Sequence, residues 1–372
     1  MRFDLSETQL LLKNSVRQFL AAECPMAEVR RLMESPDAID AALWKKIADQ
    51  GWPGLLFPEE YDGSGLGLVE MAAAMEEMGR ALLPGPYLAT VLMAGSLIDG
   101  VAGDEQKRRY LAPICRGESR ATVAQLEASA SWDPAAVQLE AARSAGGVRL
   151  RGRKLFVQDA GAADLLICAA RADGELTLAA VEKGAPGLSM DPMPTMDLTR
   201  RLHAVDFDGV DAAVLAAGSR AQAALDHMLD VSAAALTAEM VGGMQRVLDV
   251  TVEYAKTRKQ FGRPIGQYQA VQHMCADMLL MVESARSAAY YAAYAIQENL
   301  PEARLAVSIA KTYASDACRE VGNRGIQVHG GMGFTWENDL HLYYRRAKAC
   351  EILFGDANYH RERIARLTID KD

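Results

Sequence analysis

The sequence predicts an α+β multidomain protein: an N-terminal α-helical domain over residues 1–118, a small central antiparallel β domain over 119–215, and a C-terminal four-helix bundle over 216–372. Three observations lead there. Apolar residues recur at helical spacing in the first third of the chain. From Gly117 the pattern changes to short apolar runs broken by turn residues. From Arg220 onward, long alanine-rich segments resume the spacing of three and four. With 372 residues, half of them apolar, the chain is long enough for two or three domains and a large core.

In the first domain, Leu12, Val16, Phe19 and Leu20, just behind Leu10 and Leu11, mark a helix opened by Asp4 and Ser6. Further helices are expected near 37–50, 68–82, 87–99 and 104–111. The stretch 58–67, PEEYDGSGLG, is rich in turn formers and reads as a loop. In the central domain the runs at 121–126, 148–152, 154–158, 164–170, 176–181 and 203–210 read as strands. Gly146-Gly147 and Asp173-Gly174 are hairpin-type turns. In the last domain helices are expected near 219–256, 267–297, 301–328 and 336–353, with a short one from about 356. The alanine content suits close helix packing.

Composition narrows the function classes. A net charge of -9 argues against nucleic acid or an anionic membrane surface as a partner, so a bound anion needs a local basic site. Six scattered cysteines without a CxxC pair fit reduced thiols better than a disulfide framework or a zinc site. The six histidines show no metal-ligand spacing, and no metal is expected. The N-terminus carries charge too early for a signal peptide, and no segment approaches the roughly 18 uninterrupted apolar residues of a membrane-spanning helix. The expectation is a soluble, cytoplasmic protein.

Several motifs fall in order along nearly the whole chain. They are the loop at 58–67 followed by Glu76-Glu77-Met78-Gly79-Arg80, the strand RGRKLFV at 151–157, YAKTRKQFGRPI at 254–265, QVHGGMGFT at 327–335, and YRRAKACEILFG at 344–355. In this combination the chain resembles the acyl-CoA dehydrogenase family. The resemblance implies FAD as cofactor, an acyl-CoA thioester as substrate oxidised to the trans-2-enoyl-CoA, and electron-transfer flavoprotein as acceptor. It also implies that each FAD lies at a subunit interface. The flavin ring is held by the β domain of one subunit, and the pyrophosphate and adenosine end by the bundle of its neighbour.

The half of such a site given to a neighbour is intact in this sequence: Arg258, Gln260, Phe261, Gln327, Gly330 and Gly331 match the family pattern. Arg258 is a permanent cation with forked donors suited to pyrophosphate, and the glycines let backbone N–H groups approach a phosphate. Taken singly, Arg258 also reads as a surface salt bridge and the glycines as a helix-linking turn.

The half that would hold the subunit's own flavin departs from the family. Leu126 and Gln158 stand where the family has threonines, although Phe156 keeps a flavin-facing aromatic. Asp356 stands where the family has a hydroxyl near FAD. Above all, Phe354 occupies the position of the glutamate that removes the substrate's α-proton, and a phenyl ring cannot accept a proton. The alternative family position for that base falls near Ser232, a poor base without an activating partner. Asp230 and Glu239 are the nearest displaced carboxylates, and Glu351 lies three residues before Phe354. Bundle carboxylates are usually solvated or paired with Lys or Arg. Arg345-Arg346 reads as a solvated helix face, with contact to a CoA phosphate as the alternative, and Met240, Met244, Met274, Met278 and Met281 as core.

Three readings follow. In the first, the chain is the non-catalytic subunit of a heteromeric (α2β2) acyl-CoA dehydrogenase, donating half an FAD site to a homologous catalytic partner. The implied substrates are bulky, such as CoA thioesters of steroid or bile-acid side chains. In the second it is a self-sufficient homo-oligomeric enzyme that uses Asp230 or Glu239 as base. In the third it is a scaffold with no flavin contact.

Overall fold

The computed structural model describes residues 5–144 and 146–369. The helices are α1 Glu7–Glu23, α2 Met26–Met33, α3 Ala41–Asp49, α4 Leu68–Arg80, α5 Ser96–Val101, α6 Asp104–Gln106, α7 Ala112–Cys115, α8 Gly218–Thr257, α9 Gln269–Gln297, α10 Ala303–His329, α11 Leu340–Ile352 and α12 Ala357–Thr368. The strands of the central sheet are β1 Ala121–Ala124, β2 Glu140–Ser144, β3 Gly147–Gln158, β4 Leu165–Ala172, β5 Glu175–Glu182, β6 Leu188–Met193 and β7 Leu202–Ala217. The order is N-terminal helices, middle sheet, C-terminal bundle, as the sequence predicts. The chain groups into two compact units. One comprises the chain through Val29, Leu68–Leu83 and everything from Ala233; the other comprises Arg30–Gly67 and Pro84–Ser232.

In the first unit, α1 starts at a capping box: Gln9 N donates to Ser6 Oγ while Ser6 N donates to Gln9 Oε1. Asp4, the other expected start signal, lies outside the described residues. Val16 and Leu20 are buried, while Leu10 and Leu11 stay exposed. Helices α4 and α8 touch backbone to backbone through two glycines. A Cβ on Gly79 would sit 1.9 Å from Glu239 O, and one on Gly242 1.7 Å from Glu76 O. Beside that contact Glu76 is buried, accepting from Lys13 Nζ (2.6 Å), Arg286 Nε (3.1 Å) and Tyr290 Oη (2.8 Å).

The second unit is built on the sheet. The strand order is β1-β4-β2-β3-β7-β5, β6 pairs with β7, and a further β4–β5 pairing closes the path into a barrel. Only the β1–β4 and β2–β4 pairings are parallel. Leu150, Leu166, Cys168, Val205, Phe207 and Val210 form its core. Asp173 and Gly174, both at positive φ, make the tight β4–β5 turn.

Some elements differ from expectation. The runs at 148–152 and 154–158 are a single strand, β3, whose pairing with β7 shifts at Leu150/Arg151 and Lys154/Val157. Strands β2 and β6 were not expected: β2 has one buried position and β6 none, so neither carries an apolar run. Helix α2 was not expected either, although Val29, Leu32 and Met33 bury one face. Helix α3 begins at Ala41 because Asp40 caps it, and α11 begins at Leu340 rather than near 336. Among the described residues no helix is long and apolar enough to cross a membrane, and no His/Cys/Asp/Glu group is arranged to hold a metal ion. All six cysteines are free thiols.

Candidate functional site

At one end of the bundle, α8 runs out at Thr257 and the chain turns back in a two-stranded ladder, β8 Lys259–Gln260 with β9 Arg263–Pro264. Ile265 N donates to Arg258 O (2.8 Å), and Tyr268 Oη donates to Gln260 O (3.1 Å). Arg263 lies over the Tyr268 ring, 4.1 Å from its centroid. The ladder is thus braced, yet its outward groups are unanswered. Arg258 and Gln260 are exposed and make no side-chain hydrogen bond or ion pair among the described residues. Phe261 sits at the tip at φ 50° with 94% of its surface exposed. A phenyl ring gains roughly 1.5–3 kcal/mol on burial, a gain this ring does not make within the chain.

The end of α10 supplies the rest. Gln327 is exposed and without a side-chain partner among the described residues. Gly330 ends the helix at φ 61°, ψ -142°, a conformation essentially closed to other residues. Gly331 is different: a Cβ there would meet nothing within 4 Å, so nothing in the chain itself requires glycine. The ring of His329 stacks on Tyr254 at 4.3 Å, and its Nδ1 is 2.8 Å from Gly325 O. Burial lowers the pKa of this imidazole. The stack ties the end of α10 to the last turn of α8, so all six predicted cofactor residues gather at one end of the bundle. Tyr254 and His329 lie inside the motifs but were not singled out from the sequence.

The loop from α11 to α12 has the opposite character. Phe354 is 2% exposed and held at φ 59°. Its carbonyl lies 3.1 Å from His360 Nε2. Lys311 Nζ, fully buried, donates to Glu351 O (3.0 Å), Gly355 O (2.9 Å) and Ser315 Oγ (3.2 Å). Burial brings the Lys311 ammonium down to about 8. Burial, aided by the nearby charges of Lys311 and Arg363, pushes the His360 imidazole down to about 3. Asp356, expected to place charge near a flavin, caps α12 by accepting from Tyr359 N (2.8 Å).

The candidate replacement bases are engaged, and all but the half-buried Glu351 are buried. Asp230 is 5% exposed and has a partner. Glu239 is ion-paired to Arg346 Nη1 at 2.5 Å, and Arg346 Nη2 also donates to Leu83 O. This corrects the expectation of a solvated face at Arg345-Arg346: Arg346 is buried, and Arg345 lies against Trp336. Glu351 is paired with Arg319 and Lys348. In the other unit, Ser232 Oγ donates to Leu92 O (3.0 Å).

The β unit presents no hydroxyl at the positions where the family has one. Leu126 is buried. The Gln158 amide donates toward Met93 Sδ (3.4 Å), and its backbone carbonyl accepts from Thr122 Oγ1 (2.6 Å). Phe156 is partly buried at φ 56°. Beside them Lys154, fully buried, donates to Glu127 Oε1 (2.6 Å) and Gln125 O (2.9 Å). Burial pushes the Glu127 carboxyl up, but Lys154 and the Gln138 and Leu139 N–H groups hold it below its usual value. The donor set at the bundle end therefore fits a dinucleotide's pyrophosphate. Leu126 and Gln158 offer no hydroxyl, and Phe354 no group that can accept a proton.

Residues 6–118 match the family model described as acyl-CoA dehydrogenase, N-terminal domain, and residues 221–368 the one described as acyl-CoA dehydrogenase, C-terminal domain. The chain is 32% identical to acyl-CoA dehydrogenase IpdE2 of Mycolicibacterium smegmatis, covering 98% of each chain. Among solved structures it is similar to the Tcur3481-Tcur3483 steroid ACAD (31% identity, TM-score 0.89, 98% of each chain). It is also similar to the ChsE4-ChsE5 complex from Mycobacterium tuberculosis (27% identity, TM-score 0.91, 100% of each chain).

Proposed function

Because the chain belongs to the acyl-CoA dehydrogenase family, whose members are oxidoreductases acting on CH–CH bonds, we propose that it serves as the non-catalytic subunit of a heteromeric enzyme. It lends half of an FAD site to a homologous partner that supplies the base. The observation that carries this reading is the pairing of a braced, exposed and unanswered Arg258/Gln260/Phe261/Gln327 set with a buried phenylalanine at the base position. FAD, when bound, supplies the redox chemistry. Arg258 and Gln327 hold its phosphates, and the open backbone at Gly330 and Gly331 lets them approach.

The similarity to a complex of two named chains and to a steroid ACAD supports a heteromeric assembly and a bulky acyl group. CoA thioesters of steroid or bile-acid side chains are the substrates to try first, with electron-transfer flavoprotein as acceptor. The self-sufficient reading is weakened by Glu239, whose carboxylate is committed to Arg346. The test is a dehydrogenation assay on the chain alone and co-expressed with a homologous chain that keeps glutamate before its glycine. Turnover only in the mixture is expected; turnover by the lone chain would sink the proposal.

A further inference from the structure

In the first unit, α1, α4, α8 and α11 enclose a cleft of about 410 Å³ that takes no part in the site above. That volume falls within the roughly 300–1,000 Å³ usual for small-molecule pockets. Its charged lining is Arg17, Arg80, Arg246 and Glu77. The one carboxylate is already answered. Arg17 forks onto it through Nε (2.8 Å) and Nη2 (2.7 Å), and Lys13 stands 3.9 Å away.

The remaining two cations are less occupied. Arg80 gives Nη1 to Asp249 (2.6 Å), which leaves the rest of its fork unused by carboxylates among the described residues. Arg246, partly buried, contacts the Tyr343 hydroxyl and has no carboxylate partner among the described residues. Tyr343 itself is anchored, donating to Arg80 O (2.8 Å). The lining itself carries three guanidiniums against one carboxylate, with Asp249 on Arg80 and Asp339 near Tyr343 beside it, in a chain of net charge -9. Leu20 and Met26 add an apolar wall.

We propose that this cleft binds a small phosphate-bearing anion, with Arg246 as its principal contact and Arg80 and Arg17 at its flanks. Planar guanidinium forks match phosphate oxygens in pairs. The site is separate from the Arg258 set: Arg258, just past the end of α8, follows Arg246 by twelve positions, about 18 Å at helical rise. It does not rest on the flavin reading.

The test is calorimetric titration of the full chain with inorganic phosphate and, separately, with AMP. Saturable binding is expected, weakened about tenfold by Arg246→Gln, as for loss of a charge-assisted contact. Tighter binding of AMP assigns a nucleotide, and equal binding assigns the free anion. If Arg246→Gln fails to fold by circular dichroism, Arg80→Gln is read in its place, since its partner Asp249 is 36% exposed and tolerates the loss. Absence of saturable binding by both probes, or binding that disappears with Arg258→Gln and survives Arg246→Gln, overturns the proposal.

Discussion

At the 258–264 ladder, the groups that could hold a ligand face water. Arg258, Gln260 and Gln327 have no side-chain partner among the described residues, and Phe261 is 94% exposed on a left-handed backbone. Around Phe354 the groups are turned inward. Carbonyls of residues 351, 354 and 355 are taken by Lys311 and His360, and Asp356 is spent on a helix cap. The first region keeps unused binding capacity and carries an exposed phenyl ring and strained backbone to do so. The second has met its own demands and offers little to a ligand. Substitutions should divide accordingly: those at the ladder change flavin content and spare stability, and those at the buried loop and ion pairs change stability.

The largest expected effect is on the buried side. Arg346→Ala strands Glu239, which is 3% exposed, and should lower unfolding free energy by about 3–5 kcal/mol in denaturant titration. A loss near zero would show that Glu239 is freer than the structure has it and would revive it as a base. Next, Arg258→Ala should weaken FAD retention in the co-purified complex by about 10–100-fold, while the lone chain unfolds within about 0.5 kcal/mol of wild type. Unchanged flavin content would favour a scaffold.

A separate effect concerns pH. The His360 pKa is lowered from 6.5 in the unfolded chain to about 3 in the fold. Between these values the unfolded state binds more protons, so stability rises with pH and is complete above 6.5. Acidification from 6.5 should therefore remove stability by up to about 1.4 kcal/mol per pH unit, and His360→Gln should flatten that slope in urea melts run at several pH values. Smallest of all, Phe261→Gly should relieve the left-handed strain and raise lone-chain stability by about 1 kcal/mol, while FAD in the complex falls.

The candidate residues of this region stand out in the sequence because they lie in two short stretches, 254–265 and 327–335, while the β8–β9 ladder itself was not expected. The long helices were legible because their periodic faces repeat over many turns. What stayed hidden depends on contacts distant in sequence. Lys311 is forty and forty-four residues from the carbonyls it holds, and the Glu239–Arg346 pair spans 107. Neither leaves a local pattern, which is why Arg346 read as a solvated face. The capping role of Asp356 is local, four residues before His360, and was not read from the sequence. Strands β2 and β6 went unseen because sheet pairing, rather than apolar alternation, defines them.

The most direct measurement is FAD per polypeptide, by absorbance after denaturation, for the chain expressed alone and with its homologous partner. No flavin in the lone chain and about one FAD per two chains in the complex are expected. A full complement of FAD in the lone chain would contradict that expectation, and would send the search for a base back to Asp230 and Glu239.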